Sequence, residues 1–171
     1  MKTAAILLLL PLAAFADAQK FRELPLPEVK AVVQIPADWK STSESDEGVF
    51  VYHLGKNPES QGASTITLSV TPKVPDRTGQ SPAQYAEALI DMSKEEGGTV
   101  QKGQANGLDT FRSEYAFDAD NGRMRAVNIA LANAKTGTLY FFAWQGPLDE
   151  PAELEALRER VVSSAKFDPA F

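Results

Sequence analysis

The chain contains no cysteine and a single histidine among its 171 residues. Without cysteine it can form no disulfide and can offer no thiolate nucleophile or thiolate ligand for a metal. Its one imidazole, His53, rules out any site that needs two. We interpret His53 as an ordinary residue of a strand over Val49–Leu54. Because the chain has no disulfides, its stability must come from packing and backbone pairing.

Motifs for enzyme chemistry are also missing. No Gly-x-Ser-x-Gly nucleophile elbow occurs, which argues against a serine hydrolase. Gly103–Gly107 is too poor in glycine for a phosphate-binding loop, and it precedes a strand instead of a helix. We therefore predict a protein that is not an enzyme, with no catalytic, cofactor-binding or metal-binding residues and no cofactor.

After the N-terminus the sequence lacks any run of 18 apolar residues. Residues 1–18 combine a positive Lys2, an apolar stretch over residues 4–14 and a small-x-small cleavage site at Ala14–Ala16 or Ala16–Ala18. This apolar stretch is shorter than the roughly 20 residues of a membrane-spanning helix. We predict a cleaved signal peptide, and hence a periplasmic or extracellular protein without a stable membrane anchor.

Positive charge is in deficit, because 17 Lys and Arg face 23 Asp and Glu, for a net charge of −6. This balance argues against nucleic acid or an anionic membrane as partner, and it fits a basic protein surface or simple solubility. Pro25 and Pro27 predict that residues 19–28 are an extended arm that holds no ladder. Residues 29–171 are then one domain. At this size, folding buries about 68–70% of the surface that the unfolded chain exposes.

Alternating apolar residues predict most of the strands. Tight-turn signals at Asn106–Gly107, Asn121–Gly122 and Lys135–Gly137 predict antiparallel pairing of the later ones. Ser41–Gly48 has the composition of a polar, acidic loop. The strand at Thr65–Thr71 is expected to be half covered and near a sheet edge. The remaining predicted strands are Val29–Ile35, Val49–Leu54, Thr99–Lys102, Leu108–Phe117, Arg123–Leu131, Thr138–Gln145 and a short one at Ala165–Phe167.

One helix has complete start signals. Ser81 is a suitable N-cap, Pro82 suits the first helical position, and Gln84 completes a capping box. Its expected buried stripe contains Tyr85, Leu89 and Met92, and Gly97–Gly98 ends it.

A second helix is expected to begin at Pro151. Leu154, Leu157 and Val161 form its expected buried stripe. Glu155, Arg158 and Glu159 are then expected on its exposed face.

The strand at Thr138–Gln145 predicts the architecture. Leu139, Phe141 and Ala143 alternate with Tyr140, Phe142 and Trp144, so the strand is apolar on both faces and needs cover on both. We predict an α+β fold, with a largely antiparallel sheet of about six or seven strands and helices packed on both faces.

With these elements placed, the chain resembles the PsbP-like domains. This superfamily includes Mog-type proteins and also DcrB-like proteins of the bacterial periplasm. The likeness lies in Val32–Trp39, in the turn-rich strands from Gly107 to Gln145, and in the closing Ser163–Phe167. It covers nearly all of Val29–Phe167. It implies a PsbP-like α/β/α sandwich and an accessory or adaptor role through surface contacts. It carries over no functional residue, because fold does not fix function.

Asp118–Gly122 resembles the opening of a calcium loop. Its glycine comes one residue early, however, and Ile129 stands where a bidentate Glu should lie. A type I′ hairpin centred on Asn121–Gly122 explains more, because it would place Asp120 opposite Arg123 and Asp118 opposite Arg125.

Three functions remain open. The favoured one is a non-enzymatic accessory or adaptor protein that binds a protein partner. The alternative is a carrier or sensor for a small apolar ligand, suggested by Phe111, Tyr115, Phe117, Tyr140, Phe142 and Trp144. A hydrolase that uses Glu44, Asp46 and Glu47 is the third, although a solvated loop is the simpler interpretation. Trp39 and Trp144 are assigned to core packing.

Overall fold

The structure is a computed structural model that describes residues 19–60, 65–120 and 122–171. The predicted signal peptide of residues 1–18, Asn121 of the predicted hairpin turn and the side chain of Met92 lie outside the described residues. Within the described ranges, no helix is both long enough and apolar enough to cross a membrane.

The described residues form ten strands and three α-helices. The strands are β1 Phe21–Leu26, β2 Ala31–Pro36, β3 Lys40–Asp46, β4 Val49–Gly55, β5 Ile66–Thr71, β6 Thr99–Ala105, β7 Leu108–Ala119, β8 Gly122–Asn133, β9 Thr138–Pro147 and β10 Lys166–Phe167. The helices are α1 Val74–Thr78, α2 Pro82–Glu95 and α3 Ala152–Ser163. Short 3₁₀ helices occupy Pro27–Val29 and Pro58–Ser60.

Seven strands form one antiparallel sheet in the order β3-β4-β5-β9-β8-β7-β6. Asn106 and Gly107 have φ values of 54° and 77°, as the predicted type I′ turn between β6 and β7 requires. The predicted α+β class with a largely antiparallel sheet is therefore confirmed.

A second sheet joins the two ends of the described chain in the order β1-β2-β10. The expectation that residues 19–28 hold no ladder is wrong, because β1 pairs antiparallel with β2 and Pro25 lies opposite Val32. An edge strand such as β1 can carry proline without breaking a sheet. The short closing strand is confirmed as β10, which pairs with the other side of β2.

Strand β9 is covered on both faces, as its two-sided apolar pattern predicts, but by different elements. On the core face, which carries Tyr140, Phe142 and Trp144, the side chains pack with the three-stranded sheet and with Val161 of α3. On the α2 face, which carries Leu139, Phe141 and Ala143, Ala86 and Ile90 of α2 form a second cluster. The cover on the core face is thus a small sheet plus a helix.

Helix α2 covers only part of the sheet face on which it packs. Its predicted capping box is present, with Ser81 Oγ accepting from Gln84 N at 3.2 Å and Gln84 Oε1 accepting from Ser81 N at 2.9 Å. The helix packs on β6, β7, β8 and β9. Within the part of the chain that the structure describes, α2 leaves the same face of β4 and β5 largely uncovered.

Two expectations at the other end of the sheet are wrong. Most of the predicted loop Ser41–Gly48 belongs to β3, which pairs with β4 along its whole length. Its polar, exposed side chains suit an edge strand that must avoid further pairing. Because loops have the same polar composition, composition alone does not distinguish the two. β5 is half covered as predicted, but it lies between β4 and β9 and not near an edge.

Candidate functional site

The open part of the α2 face contains a polar hollow of about 280 Å³, which we call the histidine hollow. The alternation of β5 that buries Ile66, Leu68 and Val70 turns its hydroxyl side chains to this face. The lining residues are His53, Thr65, Thr67, Tyr115, Ala126, Asn128, Ala143, Trp144 and Gln145.

His53 lies between two polar partners in the hollow. Its Nδ1 is 3.2 Å from Thr67 Oγ1, and its Nε2 is 3.8 Å from Glu44 Oε1. In space, the hydroxyl, imidazole and carboxylate groups follow the order of a nucleophile, its base and the group that orients the base. Thr67, however, lies within β5, which pairs with a strand on each side. Backbone N–H groups in a ladder cannot form an oxyanion hole, so the geometry supports polar recognition.

The acidic edge is formed by Glu44, Asp46 and Glu47 at the β3–β4 turn and borders the histidine hollow through Glu44. These residues, with Val49, Val51 and Arg77 among others, line a shallow depression of about 310 Å³. All three carboxylates are exposed. A glycosidase-type acid needs an apolar setting, so the hydrolase hypothesis gains no support here.

A cavity larger than the histidine hollow lies at the other end of the molecule and measures about 690 Å³; we call it the apolar cavity. It opens between the β6–β7 turn, the end of β8 and the segment that runs from α3 into β10. Lys135, Lys166 and Asp168 carry the charges of its wall. The other lining residues are Ala105, Asn106, Gly107, Leu108, Leu131, Asn133, Val162, Ser163, Ala165, Phe167 and Pro169.

The aromatic residues suggested for an apolar ligand do not form one pocket. Phe111, Tyr115 and Phe117 lie on the α2 face of β7, and the Tyr115 and Phe117 rings are 5.9 Å apart. Tyr140, Phe142 and Trp144 are buried on the core face. None of these six residues lines the apolar cavity, whose apolar wall is aliphatic apart from Phe167.

A charge cluster fastens α3 to the core face of the sheet. Arg158 is 2% exposed and makes a bidentate ion pair with Glu150, with Nη2 3.0 Å from Oε2. Trp144 Nε1 donates to Glu155 Oε2 at 3.2 Å. Further pairs in the cluster are Arg125 with Glu114 at 2.8 Å, Arg125 with Glu155 at 3.1 Å and Arg112 with Glu159 at 2.6 Å.

The predicted faces of α3 are therefore partly wrong. Arg158 is buried with Val161 and Val162, whereas Leu154 is 37% exposed. The side chain of Glu155 is only 18% exposed because it pairs with Arg125. Gly146 leaves room for this arrangement, since a Cβ there would stand 2.8 Å from Glu150 Cδ.

The β7–β8 hairpin is present, but its register differs from the predicted one. Ala119 pairs with Gly122, so Asp118 faces Arg123 and Ala116 faces Arg125. Arg125 is then free to reach Glu114 and Glu155, as described above. Asp118 and Asp120 are exposed, and the described residues contain no group of three or more His, Cys, Asp or Glu able to hold a metal.

Both tryptophans serve the core, as predicted. Trp39 is 4% exposed and Trp144 is 5% exposed, and both belong to the cluster on the core face. Trp39 O also accepts from Arg22 Nη2 at 2.9 Å. Neither ring is available as a stacking platform for a ligand.

Comparison with known proteins finds likeness in structure only. No family model matches the chain, and no curated protein sequence matches it. The solution structure of cyanobacterial PsbP (CyanoP) from Synechocystis sp. PCC 6803 is similar, with a TM-score of 0.58 and 13% identity over 88% of this chain and 94% of that one.

Two crystal structures are also similar. One is a protein from Bacteroides thetaiotaomicron VPI-5482, with a TM-score of 0.54 and 13% identity over 85% of this chain and 48% of that one. The other is LpqN, involved in cell envelope biogenesis of Mycobacterium tuberculosis, with a TM-score of 0.49 and 11% identity over 87% and 92%. The likeness to CyanoP shows that the chain has a PsbP-like fold.

Proposed function

We propose that this protein is a non-enzymatic accessory protein of the cell envelope, periplasmic or extracellular, that acts by binding a protein partner. The observation that carries the proposal is the open part of the α2 face, where the histidine hollow adjoins the acidic edge. A PsbP-like fold supports it, because the resemblance implies surface contacts. We also propose membership of the superfamily that includes Mog-type and DcrB-like proteins.

The chemistry of this surface favours a basic partner. Exposed Glu44, Asp46 and Glu47 give one rim a negative charge, and the whole chain carries −6. Beside them the hollow offers hydroxyl, imidazole and amide groups for hydrogen bonds and Tyr115 for contact area. Interfaces commonly combine such an aromatic residue with a charged rim that steers association.

A pull-down from envelope extracts tests the proposal. The bait is the exported chain, and the variants are Tyr115→Ala and the double charge reversal Glu44→Lys with Asp46→Lys. We expect each to lower the affinity for the recovered partner by about tenfold, which corresponds to one good contact or two steering charges. Binding by the wild type should also weaken with added salt.

The matched control is Glu23→Lys with Glu59→Lys, which reverses two exposed carboxylates outside the hollow and the acidic edge. It should retain wild-type recovery. A partner that binds all variants equally would refute this surface, and recovery of no specific protein would count against the proposed function itself.

The second candidate function is a carrier or sensor for a small apolar ligand. It is favoured by the apolar cavity, since about 690 Å³ is within the size range of ligand sites. This cavity is separate from the histidine hollow, as the two share no lining residue.

A further inference from the structure

We infer that the apolar cavity binds a single-chain amphiphile with an anionic head group, such as a fatty acid. The inference rests on the second candidate function, that of a carrier or sensor, and is independent of partner binding at the histidine hollow. Leu131, Val162 and Phe167 would contact the chain of the amphiphile, and Lys135 and Lys166 its head group.

The walls of the cavity come from elements that the core holds in place. Leu131 belongs to β8, and Val162 is a buried residue of α3. Phe167 of β10 stacks on Tyr140, with ring centroids 3.8 Å apart. A pocket built on such packed elements exists before the ligand arrives, which lowers the entropic cost of binding.

The size of the cavity exceeds a packing defect. The cavity measures about 690 Å³ and is partly open to solvent, which is the size and form of clefts that hold small ligands. Water gains little there, because it needs several polar partners and much of the wall is aliphatic or aromatic. An apolar chain would therefore replace poorly bonded water with favourable contacts.

The charges of the wall select the head group. Lys135 and Lys166 are exposed, and neither forms an ion pair with a carboxylate of the described residues. Asp168, the acidic residue of the lining, accepts from Ala170 N at 2.8 Å. Two lysines against one aspartate leave a positive rim on an acidic protein, which complements an anion and repels a cation.

Calorimetric titration of the exported protein tests the inference with three twelve-carbon probes below their micelle concentrations. These are dodecanoate, neutral monododecanoylglycerol and cationic dodecyltrimethylammonium. We expect dodecanoate to bind about tenfold more tightly than the neutral probe, and the cation to bind most weakly.

Two sets of variants separate the head group from the chain. Lys135→Gln with Lys166→Gln should weaken dodecanoate binding about tenfold and leave the neutral probe unchanged. Ser163→Trp places a large side chain at an exposed position of the cavity wall, so it should abolish binding of both probes without disturbing the core. Lys20→Gln with Lys40→Gln is the control, as both lysines are exposed and outside the lining.

The outcomes distinguish the preference for an anionic head group from the carrier function. Equal binding of the anionic and neutral probes, or an unchanged dodecanoate affinity in the Lys135 and Lys166 variant, would overturn the head-group assignment and leave the carrier function standing. Failure of every probe to bind would overturn both. Binding that survives Ser163→Trp, in protein with wild-type circular dichroism, would place the ligand elsewhere and refute the inference.

Discussion

Two tyrosines hold their protons more tightly in the folded protein than in the unfolded chain. Burial, the charge of Glu28 and a hydrogen bond from Tyr52 Oη to Glu28 Oε2 at 3.2 Å raise the pKa of Tyr52 to about 12. Burial and the charge of Asp168 raise the pKa of Tyr140 to about 12. Both pKa values start from 10.0, so each hydroxyl stays protonated in the core at pH values where it would ionise in water.

This difference makes the protein sensitive to alkali. Because the folded pKa values are the higher ones, their stabilisation is complete below pH 10 and is lost as the pH rises towards 12. We expect the free energy of unfolding in urea to fall by on the order of 2 kcal/mol for each tyrosine over that interval. Tyr140→Phe should reduce this slope. An identical slope in the variant would show that Tyr140 does not contribute.

At the scale of elements, α3 is held to the sheet by charge as well as by apolar contact. Arg158 occupies a buried position on the helix, and its guanidinium is satisfied by Glu150. Burial of an ion pair costs desolvation, so such a pair contributes mainly when both partners are present. The pair therefore fixes how the helix lies on the sheet more than it adds stability.

This view predicts an asymmetric response to mutation. Arg158→Met leaves Glu150 uncompensated, and we expect it to lower the free energy of unfolding by about 3–5 kcal/mol. Arg158→Met with Glu150→Leu removes both charges and should recover most of that loss. Urea unfolding of the single and double variants measures the coupling. Additive losses would contradict an energetically coupled pair.

The same element shows where sequence reasoning stops. Helical periodicity located α2 with its capping box, because Ser81 and Gln84 act within one turn. For α3 it placed Val161 correctly but assigned Arg158 to the exposed face, because the partner that allows the arginine to be buried, Glu150, lies outside the helix. Ion pairs between distant segments leave no periodic signal, and so the charge cluster could not be predicted.

At the scale of the whole molecule, local signals predicted more than distant ones. Turn residues such as Asn106–Gly107 are enough to predict a hairpin, whereas the pairing of β1 with β2 and β10 depends on segments from both ends of the described chain. Of the candidate surfaces, the hydroxyl face of β5 can be predicted from the alternation of apolar and hydroxyl residues over Thr65–Thr71. The apolar cavity cannot be predicted in this way, because its walls meet only after β10 has paired.

The closing strand therefore has an influence larger than its two residues indicate. We expect Phe167→Ala to lower the free energy of unfolding by about 3 kcal/mol, because the ring contacts Tyr140 and Phe142 as well as the cavity. Unfolding should remain a single transition when followed by fluorescence and by circular dichroism. A separate early transition would instead show that β10 is an appendage that opens alone.

The position of β2 between the two ends of the described chain also governs when the protein can become folded. Gln34 N donates to Ser164 Oγ, a residue 130 positions later, and β10 pairs next to that contact. Because a ribosome makes the chain from its N-terminus, β2 is available long before β10. During that interval β2 has an unpaired edge, and its apolar side chains lack part of their cover. Completion of the native core therefore waits until Lys166 and Phe167 are available to pair with β2.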